Sequence, residues 1–362
     1  MATCVPPNDE SWVRFLQGLL ITSMNNILLA KTDLLPGVID ASYGEPYVVK
    51  DILLNTFDLQ KEFICTYDEL SYPTSTGYPP LVSLLEDKHQ APVVITHGAK
   101  QALGATFYAL SKLGKFNMYL PAPYWGLIPP IANIHGINCF QSFKPDVEYD
   151  SYCCVAPNNP DGSCPTLKEL KNLELTAEYE NVPLIHDAAY YSHVYLPENY
   201  KLEVIGDVQI FSVSKLTGLS GLRLGYAVCK NPEFYQMIQE YVEIMTVGVS
   251  ILPQILFYDL LLKMKRYPSN TEAFERKSNL ALFKAKKIIK QVNPDILDVG
   301  DVENTNGMFG WFKLGPKADF DKAKIKIVDG SLFGVPGFIR MNLAFDENKM
   351  QEIVQKLNKN II

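Results

Sequence analysis

The chain has no excess of positive charge: 33 Lys and Arg stand against 40 Asp and Glu, for a formal net charge of −7. No group of Lys or Arg is dense enough to make a stripe for a phosphate backbone, so no nucleic acid partner is expected. No run approaches the roughly 20 uninterrupted apolar residues that span a bilayer. Even ILPQILFYDLLLKMK carries Gln254 and Asp259. The short apolar stretch near the start lacks a basic region before it and is interrupted by Arg14, Gln17, Asn25 and Asn26, so no signal peptide is read there. These absences predict a soluble, cytoplasmic protein with no membrane partner.

The seven cysteines are odd in number and form no C-x-x-C pair, which argues against a disulfide framework or a zinc knuckle and for reduced thiols. The five histidines are scattered, with no H-E-x-x-H, and no metal site is expected. There are no internal repeats and no low-complexity tract. What remains is 362 residues, 47% hydrophobic and 20% charged, which is the balance of a folded globular enzyme and not of a disordered chain. At roughly 150 residues per domain, this length suits a large α/β domain with a smaller companion.

From about Pro92 to Cys229, short β-rich runs alternate with helical stretches, the pattern of an α/β domain with a mostly parallel central sheet and helices on both faces. The expected strands are VVIT (93–96), NMYL (117–120), SYCCVA (151–156), PLIHDA (183–188), VQIFSV (208–213) and RLGYAVC (223–229). Helices are expected over GAKQALGATFYALSKL and TLKELKNLELTAEYE, where Thr166 and Glu169 form a capping-box pattern. One long helix is expected from Asn231-Pro232 to about Lys265, then a helix near 272–291, two strands in GMFGWFKL and GFIRMNLAF, and a closing amphipathic helix. The domain division expected is an N-terminal segment, 1–45, joining the small domain or a dimer interface; a large domain, 46–265; and a small α+β domain, 266–362.

Four short motifs carry the chemistry, and their order carries more than any one alone. PNNPDG (157–162) follows a strand, HDAAY (186–190) and SVSK (212–215) end strands, and GLR with LGY (221–226) opens another. Together they place an amide, a carboxylate, a phenol, serine hydroxyls, an amine and a guanidinium at the carboxyl ends of neighbouring strands, where open α/β sheets bind ligands. Pyridoxal 5'-phosphate needs this inventory: an amine for a Schiff base, an acid for its pyridine nitrogen, and donors for its phosphate. Lys215, Asp187, and Arg223 with Ser212 and Ser214 supply those parts in turn.

On these motifs the sequence resembles the fold-type-I, pyridoxal phosphate-dependent aminotransferases of class I/II over nearly its whole length. Asn159 and Asp187 lie 28 residues apart and Lys215 and Arg223 lie 8 apart, similar to the family's spacings. APNNPDG, IHDAAYY, SKLTGLSGLRLGY and GVSILPQ resemble segments of its alliinase and plant tryptophan-aminotransferase branch. The resemblance implies that Lys215 carries the cofactor and then acts as general acid/base, that Asp187 pairs with the pyridinium, and that Asn159 and Tyr190 bond its phenolic oxygen. Arg223, Ser212, Ser214 and the backbone N–H groups of Ala99 and Lys100, after Gly98, would hold the phosphate at a helix N-terminus. Trp125, with Tyr124 as the competing choice, would stack on the ring. Tyr72 would reach the phosphate of a neighbouring subunit's cofactor, which implies a homodimer with shared sites. Gly44, Asn159 and Arg340 would face the substrate, Arg340 gripping its α-carboxylate through a bidentate fork.

The implied activity is transfer of an amino group from an L-amino acid to a 2-oxoacid in two ping-pong half-reactions. The alternative is β-elimination by a C–S lyase of alliinase type. The resemblance also implies a neutral donor, aromatic side chains included, because relatives that take dicarboxylates bring a second arginine from the neighbouring subunit shortly before the segment that here reads GVSILPQ, and this chain has no arginine between Arg223 and Arg266.

Overall fold

The computed structural model describes residues 37–57 and 70–359. The stretch read for a signal peptide, Cys4, Cys65 and most of the N-terminal segment lie outside the described residues. In chain order the first strands are β1 (Ile39–Asp40), β2 (Val93–Thr96), β3 (Asn117–Tyr119), β4 (Asn138–Phe140), β5 (Ser151–Val155), β6 (Leu184–Asp187), β7 (Val208–Ser212) and β8 (Gly225–Cys229). Seven of them form one sheet in the order β2-β8-β7-β6-β5-β3-β4. β4, β3, β5, β6 and β7 run parallel, while β8 is antiparallel to both β7 and β2. Every residue of β2, β6, β7 and β8 is buried, which is why these strands read as near-continuous apolar runs and not as alternating ones.

The helix Gly98–Lys112 packs on this sheet and against the helix Pro232–Thr246. Asn231 caps the latter by accepting from the Glu233 N–H at 2.9 Å. The capping box of the helix Leu167–Glu180 forms as its sequence requires: Thr166 Oγ1 accepts from the Glu169 N–H, and Glu169 Oε2 accepts from the Thr166 N–H at 2.7 Å.

A second core lies in the C-terminal part, built by Ile39, Ala41, Ile289, Phe312, Ile339, Met341 and Ile353 among others. Its strands are β9 (Leu297–Asp298), β10 (Phe309–Leu314), β11 (Ile325–Lys326), β12 (Val328–Asp329) and β13 (Phe338–Asn342). β12, β13, β10 and β9 form an antiparallel sheet, and β1 pairs with β11 in parallel. The helix Pro268–Ile289 crosses between the cores: Phe274 and Leu282 belong to the first, and Ala285, Ile288 and Ile289 to the second.

Three local expectations are corrected. The long helix expected from 231 to 265 is two, Pro232–Thr246 and Ile251–Arg266. Val247 between them has φ of +62°, a conformation that L-residues adopt only under constraint, and Gly248 sits so close to Pro73 and Thr74 that a Cβ would come within 2.8 Å of both. The strand expected to begin at Arg223 begins at Gly225, because Arg223 itself is left-handed, φ +50°. β4 was not expected; three residues, Asn138–Phe140, on the sheet edge give too little periodicity to read.

Candidate active site

The strand directions bring the motifs to one edge of the sheet. β5, β6 and β7 end there in Val155, Asp187 and Ser212; β2, parallel to β7, ends there in Thr96, and β8 starts there. Gly225 pairs with both Ser212 and Thr96, and a Cβ on it would lie 2.6 Å from the Ala99 nitrogen. A glycine at that point lets the helix N-terminus at Gly98–Lys100 approach the strand. The resulting cavity, about 440 Å³, is of ordinary size for a small-molecule site. It is lined by Gly44, Gly98, Ala99, Lys100, Trp125, Asn159, Asp187, Tyr190, Ser212, Ser214, Lys215, Arg223 and Arg340, all of them residues singled out in the sequence.

Two predicted residues stand elsewhere. Tyr124, the competing choice to Trp125, is buried and accepts a hydrogen bond from Gln141 Nε2 at 2.5 Å, outside the lining. Tyr72 is 89% exposed and does not reach the cavity of its own chain.

Lys215 sits in a short helix, Val213–Thr217, directly after β7. Its Nζ donates to the Gly44 carbonyl, and Tyr195 Oη donates to the Lys215 carbonyl at 2.8 Å. Burial pulls the ammonium down to about 8 against the opposing pull of Glu45, with Arg340, Arg223 and Lys100 adding to the fall. Asp187 is buried, and among the described residues only the Ala189 N–H, 3.2 Å from Oδ1, donates to it; burial raises it to about 6. No cation lies within ion-pair distance of it among the described residues.

Behind it, His186 is fully buried between Gln209 Nε2, 2.9 Å from Nδ1, and the Ala156 carbonyl, 3.0 Å from Nε2. The Ala156 carbonyl can only accept, so the proton is on Nε2 and Nδ1 accepts from Gln209. Burial holds this imidazole down to about 4, so it stays neutral.

Arg340, on β13, enters the cavity from the second core. Its Nη1 donates to Asn159 Oδ1 at 3.0 Å and its Nη2 to the Ser42 carbonyl at 2.7 Å, while buried Nε has no partner among the described residues. Phe309 and Phe333 hold the guanidinium plane, with ring centroids 4.2 and 5.0 Å from Cζ. Tyr190 is buried and pushed well up by that burial, so its hydroxyl is a proton donor at any working pH.

The sequence reading missed Tyr43, Glu45, Ser220, Gly221 and Phe309, which also line the cavity. Ser220 Oγ donates to Glu45 Oε1 at 2.5 Å across 175 residues of chain. Only GEPY and GMFG mark Glu45 and Phe309 in the sequence, and neither segment carries an intrinsic chemical signal.

The donor set fits pyridoxal phosphate. An unpaired buried carboxylate suits a ring N–H⁺, an amine with lowered pKa suits covalent attachment, and the helix N-terminus at Gly98 with Ser212, Ser214 and Arg223 suits a phosphate. Comparison with known proteins decides the family, since a family model for aminotransferases of class I and II matches residues 68–357. The chain belongs to that family.

The aminotransferase is 26% identical over 339 residues to a probable aspartate/prephenate aminotransferase of Aquifex aeolicus, covering 80% of this chain and 82% of that one. It is 29% identical over 245 residues to tryptophan aminotransferase-related protein 2 of Arabidopsis thaliana, covering 61% of this chain and 53% of that one, so the match spans about half the plant protein. In fold it is similar to tyrosine aminotransferase from Leishmania infantum, with a TM-score of 0.74 at 16% identity over 99% of this chain and 98% of that one. Its activity is pyridoxal phosphate-dependent amino-group transfer, and relatives named as aminotransferases favour transfer over β-elimination.

The isolated carboxylate gives a testable sign. Without cofactor the native protein holds a proton on Asp187 up to about pH 6, whereas the unfolded chain releases it near the ordinary 3.8, so this group's contribution makes stability fall as pH rises through that window. Asp187→Asn is expected to stabilise the cofactor-free protein at pH 8 by up to about 3 kcal/mol and to change it little at pH 4. The same variant is expected to bind pyridoxal phosphate at least roughly tenfold more weakly, because a charged contact is lost. Thermal melts at the two pH values and a cofactor titration check this.

Proposed function

We propose that the enzyme moves the amino group of a neutral L-amino acid, aromatic side chains included, to a 2-oxoacid, with the residue roles read from the sequence. The observation that carries this reading is the convergence of Lys215, Asp187, Asn159, Tyr190, Arg223 and Arg340 on one cavity. When bound, pyridoxal phosphate would supply an electron sink next to the substrate's α-carbon. Asp187 would keep its ring nitrogen protonated, Asn159 and Tyr190 would hydrogen-bond its phenolic oxygen, and Trp125 would stack on the ring. Ser212, Ser214, Arg223 and the Ala99 and Lys100 N–H groups would hold the phosphate.

Arg340 binds the substrate's α-carboxylate, its plane fixed by the two phenylalanines. Lys215 Nζ carries a proton to and from the substrate's α-carbon. An amine near 8 keeps a working share of both protonation states at neutral pH, which a base at its ordinary 10.5 would not.

The neutral donor rests on the absence of arginine from 224–265 and on Glu45, whose carboxylate lines the same cavity. A second reading, an acidic substrate, has one observation behind it. Lys100 lines the cavity with its Nζ 5.6 Å above the Trp125 ring, and among the described residues no carboxylate is in ion-pair reach of it. A donor panel of tryptophan, phenylalanine, methionine, alanine and aspartate, with pyruvate and 2-oxoglutarate as acceptors, separates the two. The neutral reading expects aspartate to fall at least roughly a hundredfold below the best donor in kcat/KM, because a second carboxylate is desolvated without an arginine partner. Lys100→Met should then leave the neutral donors within about threefold. Aspartate as best donor, with its advantage lost in Lys100→Met, would favour the second reading.

The chain divides into a large domain, 46–265, and a small domain, 266–362, with the N-terminal segment, 1–45, joining the small domain or the dimer interface, and it acts as a cytoplasmic homodimer. The exposed apolar side chains of Ile244, Met245, Val247, Leu252 and Leu256, and the 89% exposed Tyr72 on a segment packed against Gly248, support a two-fold interface there. A cytoplasmic setting is supported by five free cysteines among the described residues, and no helix there is long and apolar enough to cross a membrane. Mixing Tyr72→Phe chains with Lys215→Ala chains is expected to restore activity through hybrid dimers carrying one intact site. No recovery on mixing would count against shared sites.

A further inference from the structure

Lys286 lies in the helix Pro268–Ile289, among Leu282, Ala285 and Ile289, and is 4% exposed. Its Nζ donates to the Thr305 carbonyl at 2.6 Å, and among the described residues no carboxylate lies within ion-pair reach of it. Burial alone lowers it, to about 8. A buried ammonium with a single acceptor is a costly choice on an apolar helix face, where leucine or methionine would pack without desolvation.

The carbonyl it holds belongs to a segment that touches the active site at three places. The Asn306 N–H donates to the Gly162 carbonyl at 2.9 Å, in the loop that carries Asn159. The contact is tight enough to exclude any side chain at Gly162, where a Cβ would lie 2.2 Å from the Asn306 oxygen. The Gly307 N–H donates to the Tyr195 carbonyl at 3.4 Å, and the Tyr195 hydroxyl holds the Lys215 carbonyl. Two residues on, Phe309 lies under the Arg340 guanidinium and edge-on to Tyr190, centroids 5.8 Å apart.

We propose that Lys286 is a positioning residue: by clamping the Thr305 carbonyl it sets the Thr305–Phe309 segment, and through it the Asn159 loop and the backbone of Lys215. The juxtaposition explains why the charge sits where the helix passes from one core to the other. The segment is irregular backbone between two packed bodies, and one strong donor fixes its register. The proposal rests on the site reading above for its kinetic consequence, but not for its structural one.

Lys286→Met and Lys286→Arg test it. The cavity of about 220 Å³ beside Lys286, lined by Asn279, Glu303 and Asn304, has room for the larger guanidinium, which can still donate to Thr305. In the cofactor-free protein, Lys286→Met is expected to speed amide hydrogen exchange by roughly tenfold or more in peptides covering 157–163 and 303–309, with the β6–β7 core unchanged. In the holoenzyme the same variant is expected to raise KM for the best amino donor roughly tenfold with kcat within about threefold, and Lys286→Arg to restore both readouts. Wild-type protection of 157–163 in Lys286→Met overturns the proposal, and so does an arginine variant as impaired as the methionine one. Faster exchange in cofactor-free Lys286→Met, alongside cofactor-loaded wild type that turns over no amino donor, would contradict the site reading and leave the clamp standing.

Discussion

Asp187 is a carboxylate taken out of water without a cation to meet it, and the rest of the site is arranged around that cost. β6 is buried along its whole length, so its last residue cannot turn to solvent, and the Ala189 N–H alone does not offset the desolvation. Such a group is tolerable when a positively charged partner arrives from the ligand. His186 and Gln209 behind it stay neutral and buried, so they keep the strand fixed without offering that charge. Lys215, one strand over, is displaced in the opposite direction by the same burial, which leaves an amine that can lose its proton near neutrality.

The two cores meet over this charge pattern. The large sheet delivers the carboxylate, the amine and the anion-binding helix N-terminus; the small sheet delivers Arg340, and the 302–309 segment delivers Phe309. Arg340 binds Asn159 from one core and Ser42 from the other segment, so the guanidinium joins pieces 298 residues apart in sequence. Buried donors on this arginine, with its Nε unpartnered, are ready for an anionic group at no further desolvation cost to the protein.

The site residues were legible because their chemistry is local: Asp187, Tyr190, Ser212, Lys215, Arg223 and Asn159 all sit at a strand end or at most four residues from one, and buried strands announce themselves as apolar runs with polar punctuation. PNNPDG, HDAAY and SVSK each place a functional side chain that way, and the fold only had to bring the strand ends together. Glu45, Ser220 and Phe309 were not legible, because their place depends on contacts across the chain, such as Ser220 to Glu45, that no short pattern encodes. The break at Val247 has a local signal, because TVGVS (246–250) sets Gly248 among β-branched residues, all poor helix formers. The close approach of Gly248 to Pro73 and Thr74 belongs to tertiary packing, which no short pattern encodes. Lys286 illustrates the same limit, since a lysine in an amphipathic helix reads as solvated until its burial is seen.

The central claim is that this cavity holds pyridoxal phosphate on Lys215. Borohydride reduction of the cofactor-loaded protein, followed by peptide mapping, tests it most directly. The account predicts a yellow protein whose visible band disappears on reduction, with the pyridoxyl group on the peptide containing Lys215 and on no other. A pyridoxyl group found on Lys100, on any other lysine, or on none would contradict it.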